Sequence, residues 1–237
     1  MDWRNIKAAL FDLDGVLTPT AEVHRRAWAH MFNSYLADVA GQHPFTDTDY
    51  FAQVDGKPRY DGVRDFLTSR SIALPEGRPD DSPREVTVHG LGNRKNAEVT
   101  RMLADEGVTA YPGSVQLLEL LAAQGIRQAV VSSSRNAPLV LSAAGIESWF
   151  DLVVDGTVAE RERLAGKPAP DTFRYAARQL GIPVADCAVI EDAESGVQAG
   201  AAGGFGLVIG VDRGVGAATL EAAGAHVVVR DLKEVLG

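Results

Sequence analysis

The chain has 237 residues, of which 46% are hydrophobic, and this length suits one ordinary globular domain or two smaller ones with buried cores. Its 23 basic and 32 acidic side chains give a net charge of −9. That charge argues against DNA wrapping or docking to an anionic membrane, because both need a basic surface. The single cysteine, Cys187, excludes an internal disulfide and a cysteine-based zinc site.

No targeting or membrane segment is evident in the sequence. The N-terminus lacks the basic stretch followed by an apolar one that marks a secretory signal. No apolar run approaches the roughly 20 residues that span a bilayer. We therefore expect a cytoplasmic protein without a nucleic-acid or membrane partner. We also expect it to act as a monomer.

Six short runs rich in β-branched residues alternate with segments of helical periodicity. In chain order, the predicted strands are 6–11, 127–133, 152–155, 187–192, 206–211 and 226–230. The main helices predicted between them are 112–124, 137–144, 171–180 and 195–202, and the first three are followed by a glycine suited to a left-handed C-cap. This alternation predicts an α/β fold, a doubly wound, Rossmann-like parallel sheet covered by helices.

One stretch, from about residue 20 to residue 110, breaks the alternation because it holds no convincing buried strand. Its patterns at 21–40, 59–69 and 96–105 are helical, and the Pro-, Asp- and Gly-rich segment 74–83 predicts a surface loop. We therefore predict two domains. Residues 1–19 and 97–237 form the α/β core, and residues 20–96 form a helical cap inserted after the first strand.

Two aspartates, Asp12 and Asp14, follow the first predicted strand. Residues two apart on an extended chain point the same way, so both carboxylates are expected over the strand end. Neighbouring carboxylates repel each other, which favours a bound cation or a shared proton. Gly15 suits a tight turn beyond them. The alternative is an Asp-rich surface turn, which the DxD pattern alone does not exclude.

Two further segments offer groups that could bind an anion. Hydroxyls and main-chain amides follow the second strand and open a helix, in the run Ser132, Ser133, Ser134, Arg135 and Asn136. The alternative for these serines is ordinary helix capping. Lys167 stands in a Pro-stiffened loop before the next helix. It is either a charge held in place or a solvated surface lysine.

The fourth strand runs directly into two acids, Glu191 and Asp192. In an open parallel sheet, chemistry collects at the carboxyl ends of the strands, where Asp12 and Asp14 are also expected. Together these side chains supply the hard oxygen ligands that Mg²⁺ prefers. Each motif is ambiguous alone, but their joint occurrence at successive strand ends predicts a phosphate- and magnesium-handling site.

The four segments resemble the four motifs of the haloacid dehalogenase-like phosphotransferases: FDLDGVLT, VVSSSRN, GKPAPDTF and VIEDAESGVQAG. The resemblance implies that Asp12 forms an aspartyl-phosphate and that Asp14 is the general acid and base. It also implies that Mg²⁺ is held by Asp12, the main-chain carbonyl of Asp14 and Asp192, with Glu191 in support. The phosphoryl oxygens are expected on Lys167 and the serine-rich run. A true dehalogenase is disfavoured because those enzymes typically lack the second aspartate.

The inserted region is similar to that of the beta-phosphoglucomutase family in three segments: TAEVHRRAW, VDGKPRYDG and NRKN. The similarity implies that Thr20 and His24 orient Asp14, and that substrate contacts come from Trp28, Gly56, Lys57, Arg59 and Lys95. The alternative for each basic segment is a solvated face. This chain departs from the family at Pro19 and in the longer charged segment 159–164, which bears on hinge geometry and substrate range.

Three functional hypotheses follow from these resemblances. The first is a mutase that interconverts beta-glucose 1-phosphate and glucose 6-phosphate through glucose 1,6-bisphosphate, which serves as intermediate and activator. The second is a sugar-phosphate phosphatase with the same nucleophile. The third is a sugar-phosphate sensor without catalysis, which is disfavoured because every expected catalytic position is filled. In each case the partner is a small-molecule sugar phosphate.

Overall fold

The computed structural model describes all residues, 1–237, as two compact units. One unit comprises Met1–Thr20 and Val108–Gly237, and the other comprises Ala21–Gly107. None of the helices combines the length and the apolar character needed to cross a membrane.

A six-stranded parallel sheet forms the first unit. Its strands are β1 (Ala8–Phe11), β2 (Arg127–Val131), β3 (Leu152–Val154), β4 (Cys187–Glu191), β5 (Leu207–Val211) and β6 (Val227–Val229). Their spatial order is β3-β2-β1-β4-β5-β6. All six predicted strands are confirmed, although each is shorter than predicted. Asp12 and Asp192 directly follow β1 and β4 and begin the loops that build the site described below.

Helices alone make up the regular structure of the second unit. They are α1 (Thr20–Leu36), whose first residue belongs to the first unit, α2 (Asp47–Asp49), α3 (Arg59–Ser69) and α4 (Val88–Glu106), with a π-helical turn at Tyr50–Val54. The unit has its own core, in which the Phe32 ring lies 4.0 Å from the Phe66 ring and 5.0 Å from the Phe45 ring, centroid to centroid.

The helix α4 corrects the predicted domain boundary. It is continuous from Val88, whereas the sequence pattern predicted only 96–105, and the units divide after Gly107 rather than after residue 96. The first half of α4 holds Gly90, Gly92 and Asn93, which are weak helix formers. They obscured the start of the helix, which is capped by the Thr87 side chain accepting from the Gly90 amide.

The first unit continues with α5 (Pro112–Ala123), α6 (Ala137–Ala143), α7 (Gly156–Arg161), α8 (Asp171–Leu180), α9 (Glu194–Gly203) and α10 (Ala217–Ala222). The short helices α7 and α10 were not predicted. Successive strand side chains point to opposite faces of a sheet, and the neighbours Leu10 and Phe11 are both fully buried. Both faces of the sheet are therefore covered, which confirms the doubly wound α/β prediction.

Candidate active site at the carboxyl ends of β1 and β4

The two central strands bring the predicted acids together. Strand β1 pairs with β4 in parallel, with Phe11 opposite Ile190, and the chain leaves β1 for β2 on the other side. The sheet order thus switches direction between β1 and β4, which is where a crevice opens in folds of this kind. Asp12 continues the pairing, since its amide donates to the Ile190 carbonyl at 2.9 Å.

Lys167 lies buried between two carboxylates at this switch point. Its Nζ donates to Asp12 Oδ1 at 2.5 Å, to Glu191 Oε1, and to the Val131 carbonyl at 3.1 Å. The ammonium also lies 5.0 Å from the centroid of the Phe173 ring. The Pro-stiffened loop therefore holds the Lys167 ammonium in place against the Asp12 carboxylate.

Burial dominates the electrostatics of this triad. It raises the pKa of Asp12 and the pKa of Glu191, and the Lys167 charge opposes both shifts. Burial alone would lower the pKa of Lys167, but the two carboxylates outweigh it and raise that pKa, so the lysine stays charged. When both carboxylates are ionised, they exceed the single ammonium by one negative charge, so a further cation would find a favourable place here.

Glu191 is fully engaged by neighbouring donors. Its Oε1 accepts from Lys167, and its Oε2 accepts from the main-chain amides of Asp192 and Ala193, both at 2.9 Å. In this arrangement its carboxylate holds the lysine and the turn that carries Asp192. We therefore describe Glu191 as a positioning residue, and its support of a metal ion, directly or through water, stays a prediction.

Asp14 is held by a pair of threonine hydroxyls. Thr20 Oγ1 donates to Asp14 Oδ1 at 2.5 Å, and the Thr18 and Thr20 hydroxyls lie 2.7 Å apart. Each hydroxyl has one hydrogen to donate. When Asp14 is ionised, the Thr20 hydroxyl donates its hydrogen to the carboxylate. It can then only accept from the Thr18 hydroxyl, so Thr18 is the donor of that bond. The two hydroxyls form a directed relay that fixes one oxygen of Asp14.

The residues present could hold a magnesium ion. Two buried aspartates supply suitable oxygen donors, and one of them, Asp192, closely approaches Gly15. The carboxylates of Asp12 and Asp192 are both more than nine-tenths buried. The Asp192 carboxylate occupies the space where a Cβ on Gly15 would stand, beside the main chain of Asp14. Nowhere in the chain do three or more His, Cys, Asp or Glu side chains converge to hold a metal. A cation here would thus need a main-chain oxygen as a further ligand, as predicted for Asp14.

The serine-rich run both caps its own turn and lines the strand end. Ser132 Oγ accepts from the Ser134 amide and Ser134 Oγ accepts from the Asn136 amide, each at 3.1 Å. Both serines thus cap the turn that precedes α6, but neither caps the helix itself, whose N-cap Asn136 has no side-chain capping bond. Ser132 keeps its hydroxyl hydrogen for another acceptor. Ser133 lies between them and is half-buried. Arg135, which was predicted to bind substrate, forms an ion pair with Glu160 of α7 at 3.0 Å. The charged segment 159–164 therefore contacts the serine-rich run.

The helical unit brings a second group of predicted residues together. Lys95 Nζ lies 2.8 Å from His24 Nδ1 and 4.8 Å from the centroid of the Trp28 ring. Trp28 and Lys95 are buried, and His24 is half-buried. Burial, and then the positive charges of Lys95 and Arg59, hold the pKa of His24 well below its usual value. The imidazole of His24 is therefore neutral, with the Lys95 ammonium beside it.

Two other predicted substrate residues lie just before α3. Lys57 forms an ion pair with Asp65 at 2.6 Å, so its charge is already matched within the unit. Gly56 adopts a positive φ of 69°, which favours glycine at that position.

Sequence reasoning missed Arg213, which lies two residues beyond the end of β5. Its Nε donates to the Gly15 carbonyl at 2.7 Å, its Nη1 donates to the Arg230 carbonyl at 2.9 Å, and its guanidinium lies 4.1 Å from the centroid of the Tyr111 ring. Arg213 thus anchors the turn that follows Asp14. Its position after β5 could have indicated this role, because the residues that follow the strands of a parallel sheet lie at the same edge as Asp14.

Comparison with known proteins gives a consistent result. The family model for haloacid dehalogenase-like hydrolases matches residues 6–204. The beta-phosphoglucomutases of Mycobacterium tuberculosis and Mycobacterium bovis are each 48% identical, over 98% of this chain and 92% of theirs. Hexitol phosphatase A of Escherichia coli is 31% identical, over 85% of this chain and 82% of its own. The crystal structure of beta-phosphoglucomutase from Clostridium difficile shares the fold, with a TM-score of 0.77 at 24% identity, over 97% of this chain and 93% of that one.

Proposed function

Because this chain belongs to the haloacid dehalogenase-like hydrolase family, within its beta-phosphoglucomutase branch, and is a phosphotransferase enzyme, we propose that it interconverts beta-glucose 1-phosphate and glucose 6-phosphate through glucose 1,6-bisphosphate. We propose further that it acts as a monomer on small-molecule sugar phosphates. The observation that carries this proposal is that one unit holds the buried ion pair of Asp12 and Lys167, while in the other unit the charges of Lys95 and Arg59 both act on His24. A bisphosphate intermediate needs both kinds of site.

The first chemical step uses Asp12 as the nucleophile. Its carboxylate oxygen attacks the phosphorus of the donor, a new P–O bond forms, and the bond to the sugar oxygen breaks. Lys167, 2.5 Å from Asp12 Oδ1, is placed to balance the negative charge of an incoming phosphoryl group. Ser132, with a hydrogen still to donate, and Ser133 would receive phosphoryl oxygens beside it.

Magnesium supplies one further element of the chemistry. Bound by Asp12, Asp192 and the main-chain oxygen of Asp14, Mg²⁺ would neutralise charge between the carboxylates and the phosphoryl group. Glu191 supports this arrangement from behind, because it fixes Lys167 and the Asp192 turn.

Proton transfer falls to Asp14. It protonates the departing sugar oxygen in the first half of the reaction and takes the proton from the attacking hydroxyl in the second half. Thr20 fixes one of its oxygens and so orients the carboxyl group that exchanges the proton. His24 is neutral because of its lowered pKa, and its Nδ1 accepts from the Lys95 ammonium. Its proton is therefore on Nε2, the form that the predicted role of His24 in orienting Asp14 requires.

Arg59 and Lys95 would bind the phosphate that does not react. Lys95 Nζ lies 2.8 Å from His24 Nδ1, and the charges of Lys95 and Arg59 both lower the pKa of His24. A phosphate dianion is a fitting counter-charge for two such cations in a protein that is acidic overall. We propose that the helical unit is the cap, and that it retains the bisphosphate while the sugar turns round between the two half-reactions.

A sugar-phosphate phosphatase is the second candidate. The similarity to hexitol phosphatase A of Escherichia coli favours it, because the same aspartyl-phosphate gives hydrolysis when water replaces the sugar hydroxyl. The third hypothesis, a sensor without catalysis, has no such support, since Asp12, Asp14 and Lys167 are all present and the two aspartates are held by specific partners.

Replacement of the nucleophile tests the proposed mechanism. Asp12→Asn keeps the side-chain volume and removes the attacking carboxylate. We expect formation of glucose 6-phosphate from beta-glucose 1-phosphate to fall at least about a thousandfold, as when a covalent nucleophile is removed. Retention of wild-type turnover by Asp12→Asn, checked with freshly purified protein, would contradict the aspartyl-phosphate mechanism.

A further inference from the structure

Arg59 rests on a neighbouring aromatic ring and on a gap in α4. Its guanidinium carbon lies 5.0 Å from the centroid of the Tyr60 ring. The gap is made by Gly92, where an added Cβ would stand 2.7 Å from Tyr60 Cδ1 and 3.3 Å from Arg59 Cγ. Any side chain at position 92 would therefore displace both residues. Gly92 allows α3 and α4 to approach closely at this point.

The Tyr60 ring is itself fixed from two further sides. Its hydroxyl donates to Asn93 Oδ1 at 2.8 Å, and its ring lies 4.1 Å from the His89 ring, centroid to centroid. Both partners come from the first half of α4, the part of the helix that the sequence did not predict. The tyrosine is thereby held at its hydroxyl and on its face.

Asn93 connects this arrangement to the loop before α4. Its Nδ2 donates to the carbonyls of Pro79 and Asp81, at 3.1 and 2.9 Å. The surface loop predicted at 74–83 therefore fixes Asn93, and Asn93 in turn fixes Tyr60. A continuous set of contacts runs from the loop through Asn93 and Tyr60 to the guanidinium of Arg59.

We propose that Tyr60, Gly92 and Asn93 form a seat that positions Arg59 for the non-reacting phosphate, and so set the affinity for the bisphosphate. This inference rests on the proposed function of Arg59. An arginine side chain loses considerable rotamer freedom when it grips a ligand, and a seat that orders it beforehand reduces that cost. Tyr60 is thus a positioning residue that acts through Arg59.

The seat is tested by the concentration of glucose 1,6-bisphosphate that gives half-maximal mutase activation. We expect Tyr60→Leu to raise this concentration by about 3- to 30-fold, the range of a cation–π contact at an exposed or desolvated site, with a smaller change in kcat at saturation. Tyr60→Phe, which keeps the ring and loses the Asn93 bond, is expected to give an intermediate shift. Tyr35→Leu, at another half-buried tyrosine of the helical unit, is the matched control and is expected to show no such split.

Gly92→Ala provides a second test that deletes no atom of Arg59 or Tyr60. The added methyl displaces the ring, while alanine favours the helix, so we expect the same rise in half-maximal concentration without unfolding. Arg59→Ala is the reference for complete loss of the grip. If Arg59→Ala raises the half-maximal concentration while Tyr60→Leu and Gly92→Ala match the wild type, the seat is refuted and the proposed function stands. If Arg59→Ala also matches the wild type, the role of Arg59 in phosphate binding is overturned as well.

Discussion

Replacing Thr20 with valine tests the hydroxyl relay that holds Asp14. Valine has nearly the same shape as threonine, and Thr20 is almost fully buried, so the change removes one donor without opening a cavity. The Thr18 hydroxyl loses its acceptor, but it already lies 3.4 Å from the Leu13 carbonyl and can turn towards it. We therefore expect a loss of unfolding free energy of only about 1 kcal/mol.

The effect on catalysis is expected to be larger than the effect on stability. The bond from Thr20 to Asp14, at 2.5 Å, is a charge-assisted hydrogen bond of the kind worth about 1.5–3 kcal/mol. If the geometry of Asp14 in the transition state depends on this bond, its loss lowers kcat by about 10- to 100-fold. Thr20→Ser, which keeps the hydroxyl, should retain most of the wild-type kcat.

The assay follows glucose 6-phosphate formation at saturating substrate and bisphosphate, beside thermal unfolding of each variant. The expected pattern is a low kcat for Thr20→Val, near-normal kcat for Thr20→Ser, and similar unfolding temperatures for both. A Thr20→Val enzyme with wild-type kcat would refute the reasoning that the relay aims Asp14. So would equal losses of kcat in the two variants, because the hydroxyl would then be irrelevant.

Two other predictions concern Arg213 and His24. Arg213→Met removes two hydrogen bonds to main-chain carbonyls, one of them to Gly15 at 2.7 Å. We therefore expect the unfolding free energy to fall by about 2–3 kcal/mol and the unfolding temperature by about 4–12 °C, with reduced kcat; a wild-type kcat would show that the anchor is dispensable. Burial first, and then nearby positive charge, hold the pKa of His24 well below 6.5. Below about pH 6.5 the unfolded chain therefore binds a proton that the folded chain does not, so the stability of the fold falls as the pH falls. His24→Gln should flatten this dependence in denaturant titrations between about pH 5 and pH 7.5, and an unchanged pH slope would contradict the neutral assignment.

The strands, and with them the catalytic end of the sheet, could be predicted from the sequence. Buried parallel strands are continuous apolar runs, and Asp12, Lys167 and Asp192 stand immediately after such runs or in a Pro-stiffened loop. The topology then brings them together without further information. What each carboxylate does was harder to predict, because Glu191 and Asp192 are adjacent and the sequence does not tell which of them turns towards Lys167.

The residues that act through others were the ones missed. Arg213 is separated by 198 positions from the Gly15 carbonyl that it binds, and no local pattern marks such a contact. The start of α4 was hidden by Gly92 and its neighbours, since glycine is a poor helix former. That glycine is there for the close approach of Tyr60, a tertiary reason that propensity does not contain.

The product ratio tests the central claim most directly. Purified protein is supplied with Mg²⁺, beta-glucose 1-phosphate and a trace of glucose 1,6-bisphosphate, and glucose 6-phosphate and inorganic phosphate are followed in parallel. A mutase whose helical unit retains the bisphosphate is predicted to form glucose 6-phosphate without comparable free phosphate. Inorganic phosphate as the dominant product would contradict the mutase proposal and make the chain a sugar-phosphate phosphatase.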